Sequence, residues 1–261
     1  MGQTVALESN RRTVRTPVAP LAQPGGDLES ITYTQTRVLP LDSRHLEEHR
    51  IIAVNKTDPR AMPFDILRTK VLSVMSSNGW RTMAVTSPRP ECGKSVVAIN
   101  LAISLARQTE YTVLLADFDL HRPRIGAYLG LPREDALVDY IEGKRAMKDA
   151  LINPGIPRLV VLVNSSGVTH ASELLSGPKI RDLVTELRER YARRILIFDL
   201  PPVLSGDDTL AFLPQMDCAL LVAASGTSTK SDVEESQRLM ASSNLLGVVL
   251  NKADDYQQPY Y

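Results

Sequence analysis

The segment from Thr86 to Ser95 constrains the fold more than any other part of this 261-residue chain. It reads Thr-Ser-Pro-Arg-Pro-Glu-Cys-Gly-Lys-Ser and joins an apolar run to a helical pattern. A phosphate-binding loop needs this order, because a strand delivers the loop to one sheet edge and its N–H groups wrap phosphates at the helix start. In such a loop Lys94 reaches the β- and γ-phosphates and the Ser95 hydroxyl binds Mg²⁺. The strict pattern has glycine where this chain has Pro88.

Two acidic segments further along the chain complete the pattern. The apolar run Val113–Asp117 ends in a carboxylate, with Asp119 two residues later, and the run Ile195–Asp199 precedes two prolines. In a parallel α/β sheet, ligands bind beyond the carboxyl ends of the strands. Carboxylates placed there, beside a phosphate loop, are oxygen ligands for Mg²⁺. The sequence therefore predicts one Mg-nucleotide site, whose metal ligands are Ser95, Asp117, Asp119 and Asp199.

The composition argues against several other classes of protein. Lysine plus arginine and aspartate plus glutamate both number 30, so no bulk charge favours nucleic acid or an anionic membrane. The two cysteines, Cys92 and Cys218, form no CxxC pair, which argues against a disulfide framework or a zinc site. No signal-peptide pattern begins the chain, and no apolar run approaches the roughly 20 residues that span a bilayer. We therefore expect a soluble, cytoplasmic protein.

Short β-rich runs alternate with helical patterns, which predicts a mostly parallel sheet flanked by helices. The predicted strands are Trp80–Thr86, Tyr111–Ala116, Leu159–Val163, Arg194–Phe198, Cys218–Val222 and Leu246–Leu250. The predicted helices cover about 43–53, 64–78, 94–107, 135–152, 177–190 and 229–243. The helix over 64–78 is expected to pack on the sheet edge or on a neighbouring subunit. The helix that begins at Lys94 is apolar on most sides, as expected for a helix buried against a sheet.

With these motifs the chain resembles the bacterial protein-tyrosine kinases, or BY-kinases, which accompany capsule and exopolysaccharide export. The resemblance runs from about residue 58 to residue 254. It rests on the loop from Thr86 to Ser95, on an L-L-x-D-x-D segment from Leu114 to Asp119 that is followed by Arg122 and Pro123, and on D-x-P-P from Asp199 to Pro202. The resemblance implies a P-loop NTPase fold with ATP and Mg²⁺ as cofactors.

This interpretation predicts that the chain has three parts. Residues 1–42, which are rich in proline, glycine and arginine near the start, are expected to be a disordered arm or linker. Residues 43–254 form the P-loop kinase domain, and residues 255–261 form a C-terminal tail. The family's substrate is often its own tyrosine-rich tail, although chance aromatics at a frayed end are an alternative. The phosphoacceptors implied by the resemblance are Tyr256, Tyr260 and Tyr261.

The resemblance also implies a role for each site residue. Lys94 neutralises the β- and γ-phosphates, and either Asp117 or Asp119 orients or deprotonates the tyrosine hydroxyl. Asp199 completes the surroundings of the metal, and Arg122 holds its loop in place. The catalytic set is thus Lys94, Asp117, Asp119, Asp199 and Arg122. The nucleotide-binding set is Pro90, Glu91, Cys92, Gly93, Lys94, Ser95, Val96 and Asn251, with the Asn251 amide expected near the adenine.

Two departures from the family pattern affect activity and assembly. Glu91 replaces a glycine of the phosphate loop and adds a Cβ where the backbone must curl. Ring-forming members carry an E-x-x-R-x-x-R helix, where this chain has Met62, Asp65 and Arg68. A closed ring built on those contacts is therefore not expected. Self-association through other surfaces is expected, because the tail would be phosphorylated by a neighbouring copy.

Two other interpretations of the function remain open at this point. The NKxD pattern from Asn251 to Asp254 is the guanine-reading motif of GTPases, although the segment after Asp199 lacks the glycine of a D-x-x-G switch. A non-catalytic or weakly hydrolytic ATP switch is the second alternative, favoured by the altered phosphate loop. In either the kinase or the switch reading, the expected partner is a transmembrane polysaccharide co-polymerase that activates the protein and recruits it to the inner face of the cell membrane.

Overall fold

The computed structural model describes residues 36–108, 110–189 and 193–253. Within them, eight strands form a single sheet in the order β1-β4-β5-β3-β6-β2-β7-β8. All neighbouring strands are parallel except β4 and β5. The strands are β1 (Arg37–Val38), β2 (Thr82–Thr86), β3 (Thr112–Asp117), β4 (Ile152–Asn153), β5 (Leu159–Leu162), β6 (Arg194–Asp199), β7 (Cys218–Ala224) and β8 (Leu245–Asn251).

Helices cover both faces of this sheet. They are α1 (Ser43–Glu48), α2 (Met62–Asn78), α3 (Lys94–Ala106), α4 (Ile125–Tyr128), α5 (Ala136–Ile141), α6 (Met147–Ala150), α7 (Ala171–Ser176), α8 (Pro178–Glu189), α9 (Asp208–Phe212) and α10 (Lys230–Leu239). Short 3₁₀ turns occupy Pro59–Ala61 and Leu213–Gln215. None of these described helices is both long enough and apolar enough to cross a membrane.

The central strands are apolar throughout because neither of their faces meets water. Every residue of β2, β3, β6 and β7 is buried, which is typical of a parallel sheet covered on both sides. One apolar core lies between the sheet and α2 and α3, and the second lies between the opposite face and α5 to α10. The six predicted strands are confirmed, each with ends within two residues of those observed.

Helix α3 begins at Lys94 and is buried along nearly its whole length, as predicted. Helix α2 packs against α3, where Asp65 and Arg68 form hydrogen bonds with the buried Ser104. The Arg68 Nη1 donates to Asp65 Oδ1 at 2.6 Å. The two charges that align with the family's ring-forming helix are therefore paired within this chain.

The prediction of one continuous helix over 135–152 is wrong. The structure has α5, α6 and the strand β4 instead, and α5 is followed by Gly143 with φ +78°. A left-handed residue cannot continue a right-handed helix, so the segment turns there. The short helix predicted over 43–53 ends at Glu48.

Part of the segment predicted as a disordered arm lies in the sheet. β1, at Arg37–Val38, pairs in parallel with β4, and Arg37 forms an ion pair with Glu134 at 2.6 Å. Residues 1–35 of that segment lie outside the described residues, as do Asp254 and the three tail tyrosines.

Candidate functional site

Strand order brings the predicted site residues to one edge of the sheet. β6 lies between β3 and β2, so the carboxyl ends of these three strands are neighbours. Asp117 at the end of β3 is paired in register with Asp199 at the end of β6. β2 leads into the loop Ser87–Gly93, and Gly93, with φ +85°, caps the start of α3. The register of the sheet thus fixes where the acids lie relative to Lys94, the first residue of α3.

The ammonium of Lys94 lies between two carboxylates. Its Nζ is 2.8 Å from Asp119 Oδ2 and 3.3 Å from Asp199 Oδ1. Ser95 Oγ donates a hydrogen bond of 2.5 Å to Asp199 Oδ2. The Lys94 side chain is only 10% exposed. Burial opposes its charge, but Asp199 and Asp119 outweigh this effect and raise the pKa of Lys94 above its ordinary value. Lys94 is therefore charged at neutral pH.

Asp117 is the most enclosed of the three acids, with no exposed surface. Its Oδ2 accepts hydrogen bonds from the backbone N–H groups of Arg124 at 2.8 Å and Ile125 at 2.9 Å. Its Oδ1 is buried and has no hydrogen-bond partner among the described residues. Burial and the neighbouring Asp199 raise the pKa of Asp117 well above its ordinary value, although Lys94 acts in the opposite direction. This oxygen is an unsatisfied acceptor at the centre of the site.

Asp199 shares the same environment. Burial raises its pKa, while Lys94 and the hydrogen bond from Ser95 lower it without cancelling the effect of burial. The two-proline turn that follows Asp199 is fixed by hydroxyl groups, since Thr86 Oγ1 and Thr209 Oγ1 each donate to the Pro201 carbonyl at 2.7 Å. The turn is therefore tied to the end of β2, which holds Asp199 beside the start of the phosphate loop.

Asp119 begins the turn that leads to α4. Its Oδ1 accepts a hydrogen bond of 3.0 Å from the backbone N–H of Arg122, while its Oδ2 faces Lys94. Arg122 was predicted to hold this loop. Its contact with Asp119 is made by the backbone N–H, and Arg122 itself is exposed. Asp119 retains 5% exposure, whereas Asp117 has none. Of these two acids, Asp119 is the one that keeps some exposed surface.

The phosphate loop is strained at Glu91, which stands where the family pattern has glycine. Glu91 has φ +64°, a left-handed conformation that glycine adopts freely and glutamate does not. Pro90 and Glu91 are exposed, Gly93 and Val96 are half-buried, and Cys92 is buried with its Sγ 3.3 Å from Ser228 Oγ. The sequence analysis expected the Cβ of residue 91 to disturb the curl of the loop, and in the structure its effect is strain in the backbone of Glu91.

The Asn251 side chain lies against this loop. Its Nδ2 donates to the Cys92 carbonyl at 2.9 Å, and the neighbouring Lys252 Nζ donates to the Glu91 carbonyl at 2.7 Å. Asn251 was predicted to lie near an adenine, and its amide is engaged here by the loop backbone. Asp254, the last residue of the NKxD pattern, lies outside the described residues.

Sequence reasoning missed several residues that hold the loop. Arg89 contacts a single oxygen of Asp232 in α10 through two nitrogens, since its Nε and Nη2 lie 2.9 Å and 2.8 Å from Asp232 Oδ1. Asp232 also completes a capping box with Thr229. The spacing of Thr229 and Asp232 is a recognisable helix-start signal. It marks the beginning of α10, but nothing in it identifies Arg89 as a partner.

The donor set suits a magnesium ion that shares its ligands with a phosphate. Mg²⁺ is usually bound through one or two carboxylates, with phosphate and water oxygens in the remaining positions. Ser95 Oγ and Asp199 Oδ2 already lie together, and the unsatisfied Asp117 Oδ1 is a further oxygen. In the part of the chain that the structure describes, no three histidine, cysteine or acidic side chains are arranged to hold a metal by themselves. The residues therefore fit Mg²⁺ bound together with a nucleotide.

Comparison with known proteins agrees with this geometry. The ParA family model, described as NUBPL iron-transfer P-loop NTPase, matches residues 80–256. The tyrosine-protein kinase CpsD of Streptococcus pneumoniae serotype 4 is 30% identical over 183 residues, which cover 69% of this chain and 79% of CpsD. The chain belongs to the P-loop NTPases of the ParA type and, among them, to the bacterial tyrosine-protein kinases.

Two further similarities support this family assignment. The putative tyrosine-protein kinase EpsB of Ralstonia nicotianae is 29% identical over 199 residues, or 76% of this chain and 26% of EpsB. The kinase domain of Escherichia coli tyrosine kinase ETK superposes with a TM-score of 0.71 at 25% identity, covering 86% of this chain and 94% of that domain. The chain spans about a quarter of the length of EpsB, and it matches nearly all of an isolated kinase domain.

Proposed function

We propose that this chain is an ATP-dependent protein-tyrosine kinase that phosphorylates tyrosines in its own C-terminal segment and regulates the polymerisation and export of an exopolysaccharide or capsule. The observation that carries the proposal is the Lys94 ammonium, held between Asp119 and Asp199 at the start of the helix that follows the phosphate loop. The tyrosine-kinase names of the relatives support tyrosine as the acceptor. The proposed acceptors are Tyr256, Tyr260 and Tyr261.

Charge neutralisation is the first task of the site. Phosphoryl transfer depends mainly on positioning and on compensation of the phosphate charge. Lys94 is charged and has three N–H donors, so it can keep a carboxylate contact while it binds a phosphate oxygen. Ser95 and Asp199 would hold Mg²⁺ with Asp117 beside them, and the ion would spread the negative charge of the β- and γ-phosphates.

Activation of the tyrosine is the second task. A tyrosine hydroxyl has a pKa of about 10 and needs a base to become a nucleophile. Asp119 is the proposed base, because Asp117 is fully enclosed and its Oδ2 already accepts two backbone N–H groups. The tyrosine Oη would form a bond to the γ-phosphorus and pass its proton to Asp119. The bond from the γ-phosphorus to the bridging oxygen would break, and ADP would leave.

The test is phosphotyrosine formation by purified protein with ATP and Mg²⁺. We expect phosphotyrosine in the starting chain, none in Asp119→Asn or Asp199→Asn, and none in a chain truncated before Tyr256. Asp182→Asn is the control, since Asp182 is an exposed acid of α8. Phosphotyrosine that persists in Asp199→Asn, or in the truncated chain, would contradict the proposal for the site or for the acceptor.

Transfer between copies has its own test. The truncated chain keeps its site but lacks acceptors, and Asp119→Asn keeps its acceptors but lacks the proposed base. A mixture of the two should form phosphotyrosine on Asp119→Asn only if transfer occurs from one copy to another. Absence of label in the mixture, with full activity of the starting chain, would indicate transfer within one chain.

A non-catalytic ATP switch is the second candidate, favoured by the left-handed conformation of Glu91 in the phosphate loop. ATP binding without phosphotyrosine would support it. A GTPase is the third, and it requires GTP to displace ATP from the protein. Membrane fractions that contain a transmembrane polysaccharide co-polymerase should raise kinase activity if such a protein is the activator, and unchanged activity would exclude that role.

A further inference from the structure

We propose that Asn251 and Lys252, at the end of β8, are positioning residues that hold the phosphate loop in its binding shape. Two consecutive loop carbonyls accept hydrogen bonds from two consecutive side chains. Lys252 Nζ is 2.7 Å from the Glu91 carbonyl oxygen, and Asn251 Nδ2 is 2.9 Å from the Cys92 carbonyl oxygen. The inference rests on the nucleotide site of the proposed function and assigns these two residues to the loop backbone, not to the base.

The bonds act through the geometry of the peptide group. In a planar trans peptide, the C=O and the following N–H point in opposite directions. A bond to the Glu91 carbonyl therefore fixes the direction of the Cys92 N–H, and a bond to the Cys92 carbonyl fixes that of the Gly93 N–H. Loop N–H groups are what a phosphate-binding loop offers to phosphates. Asn251 and Lys252 thus set the direction of two of these donors from outside the loop.

The strain in the loop explains why such an external hold is needed. Glu91 is left-handed at φ +64°, and for an L-residue with a side chain this conformation is unfavourable. Released from its contacts, position 91 would relax toward an ordinary conformation and turn its peptide away. Lys252 bonds the carbonyl of this same strained residue.

The supporting end of β8 is itself firmly placed. Asn251 pairs with Ala224 of β7, and its carbonyl accepts a hydrogen bond of 2.9 Å from Ser225. A Cβ added to Gly93 would lie 2.3 Å from Asn251 Nδ2, so the amide occupies space that only glycine leaves free. The loop and the end of β8 therefore fit together closely.

Binding of ADP and Mg²⁺, measured by calorimetry, tests the inference without relying on kinase activity. Lys252→Met keeps the length of the side chain without its donors, and we expect it to weaken ADP binding roughly 10-fold, as loss of a charge-assisted hydrogen bond predicts. Lys252→Arg should retain most of the affinity. Lys148→Met, at an exposed lysine of α6, is the matched control. Since Lys252 is exposed, its variants are expected to fold.

A substitution at position 91 separates conformation from charge. Glu91→Gly removes the strain, whereas Glu91→Gln removes the charge and keeps the strain. If Lys252 acts by holding the strained backbone, Lys252→Met should weaken ADP binding about 2-fold or less in the Glu91→Gly chain and still roughly 10-fold in the Glu91→Gln chain. An equal loss in both backgrounds would overturn the positioning role.

Asn251→Ala distinguishes loop positioning from base reading. We expect ADP and GDP binding to weaken by the same factor, because the phosphate loop is common to both. A change in the ratio of the two affinities would overturn our assignment and favour contact with the base. If Lys252→Met and Asn251→Ala bind ADP like the starting chain, the inference fails while the proposed kinase stands. If the starting chain binds ADP but forms no phosphotyrosine, the kinase fails and the inference stands.

Discussion

The acidic end of the site and the phosphate loop differ in what holds them in place. Asp117 and Asp199 sit at the ends of buried parallel strands that pair in register. The loop Ser87–Gly93 lies outside the sheet, contains a left-handed glutamate, and is held by side chains from β8 and α10. The acids therefore take their positions from the backbone hydrogen bonds of the sheet, whereas the end of the loop nearest α3 depends on side-chain contacts for its shape.

The two halves of the site, the acidic end and the phosphate loop, should therefore respond differently to substitution. A change at an acid alters charge in a frame that the sheet keeps fixed. A change in the loop or its supports alters shape, because few hydrogen bonds within the loop oppose relaxation. Lys94 belongs to both halves, since it begins α3 directly after the loop and its ammonium contacts Asp119 and Asp199.

Removal of the cation that joins the two halves should have the largest effect. We expect Lys94→Met to lower the rate of phosphotyrosine formation at least about 100-fold, because the site loses its fixed positive charge. The free energy of unfolding at neutral pH should also fall by about 3 kcal/mol, since two buried carboxylates lose their partner. Phosphotyrosine assays and urea denaturation measure the two effects, with Lys148→Met as the control. A rate within a factor of about two of the starting chain would contradict the role of Lys94.

A methyl group at position 93 should disrupt the phosphate loop and leave the acidic end of the site in place. Gly93→Ala combines a left-handed backbone with a Cβ that would lie 2.3 Å from Asn251 Nδ2, so we expect ADP binding to weaken more than about 10-fold. Gly79→Ala is the matched control, because Gly79 is also left-handed, at φ +66°, but has open space around it. That control should lose only about 1 kcal/mol of stability and no ADP affinity. Equal effects of the two substitutions would mean that crowding by Asn251 is unimportant.

Asp117→Asn should change how stability depends on pH and leave the loop intact. In the starting chain the folded protein holds the Asp117 proton more tightly than the unfolded chain does, because burial raises the pKa of Asp117. Stability is therefore lost as pH rises from about 4 through the raised pKa, by about 1.4 kcal/mol for each unit of the shift. The variant lacks this loss, so its stability relative to the starting chain should increase over that window and then level off.

Urea denaturation at several pH values checks this prediction. Asp182→Asn serves as the control, since it makes the same substitution at an acid on the exposed face of α8. A stability difference between Asp117→Asn and the starting chain that stays flat with pH would show that burial does not raise the pKa of Asp117.

The smallest expected effect lies outside both halves. Ser104 is fully buried in α3, where its Oγ donates to Asp65 at 2.6 Å and accepts from Arg68 at 3.1 Å. We expect Ser104→Ala to lower the free energy of unfolding by about 1 kcal/mol and to leave ADP affinity unchanged. Ser73→Ala on the exposed side of α2 is the control. A change in ADP affinity would show that the packing of α2 on α3 reaches the phosphate loop.

Much of the fold could be predicted because its strands are short, apolar and separated by clear helical patterns. The segment 135–152 could not, because its helical spacing continues across Gly143 and β4 is too short to show a periodic signal. The pairing of β1 with β4 depends on contacts between residues more than 100 positions apart. Local sequence carries no information about such partners.

The sequence by itself determined the chemistry of the site: a lysine and a serine after a phosphate loop, and carboxylates at the ends of two strands that a parallel sheet must bring to one edge. Only the tertiary structure decided how the strained loop is held, because the carbonyls of Glu91 and Cys92 find their donors about 160 positions away, at Lys252 and Asn251. Strand ends meet wherever a parallel sheet forms. A hydrogen bond from a side chain to a distant loop carbonyl forms only where the complete fold places the two together.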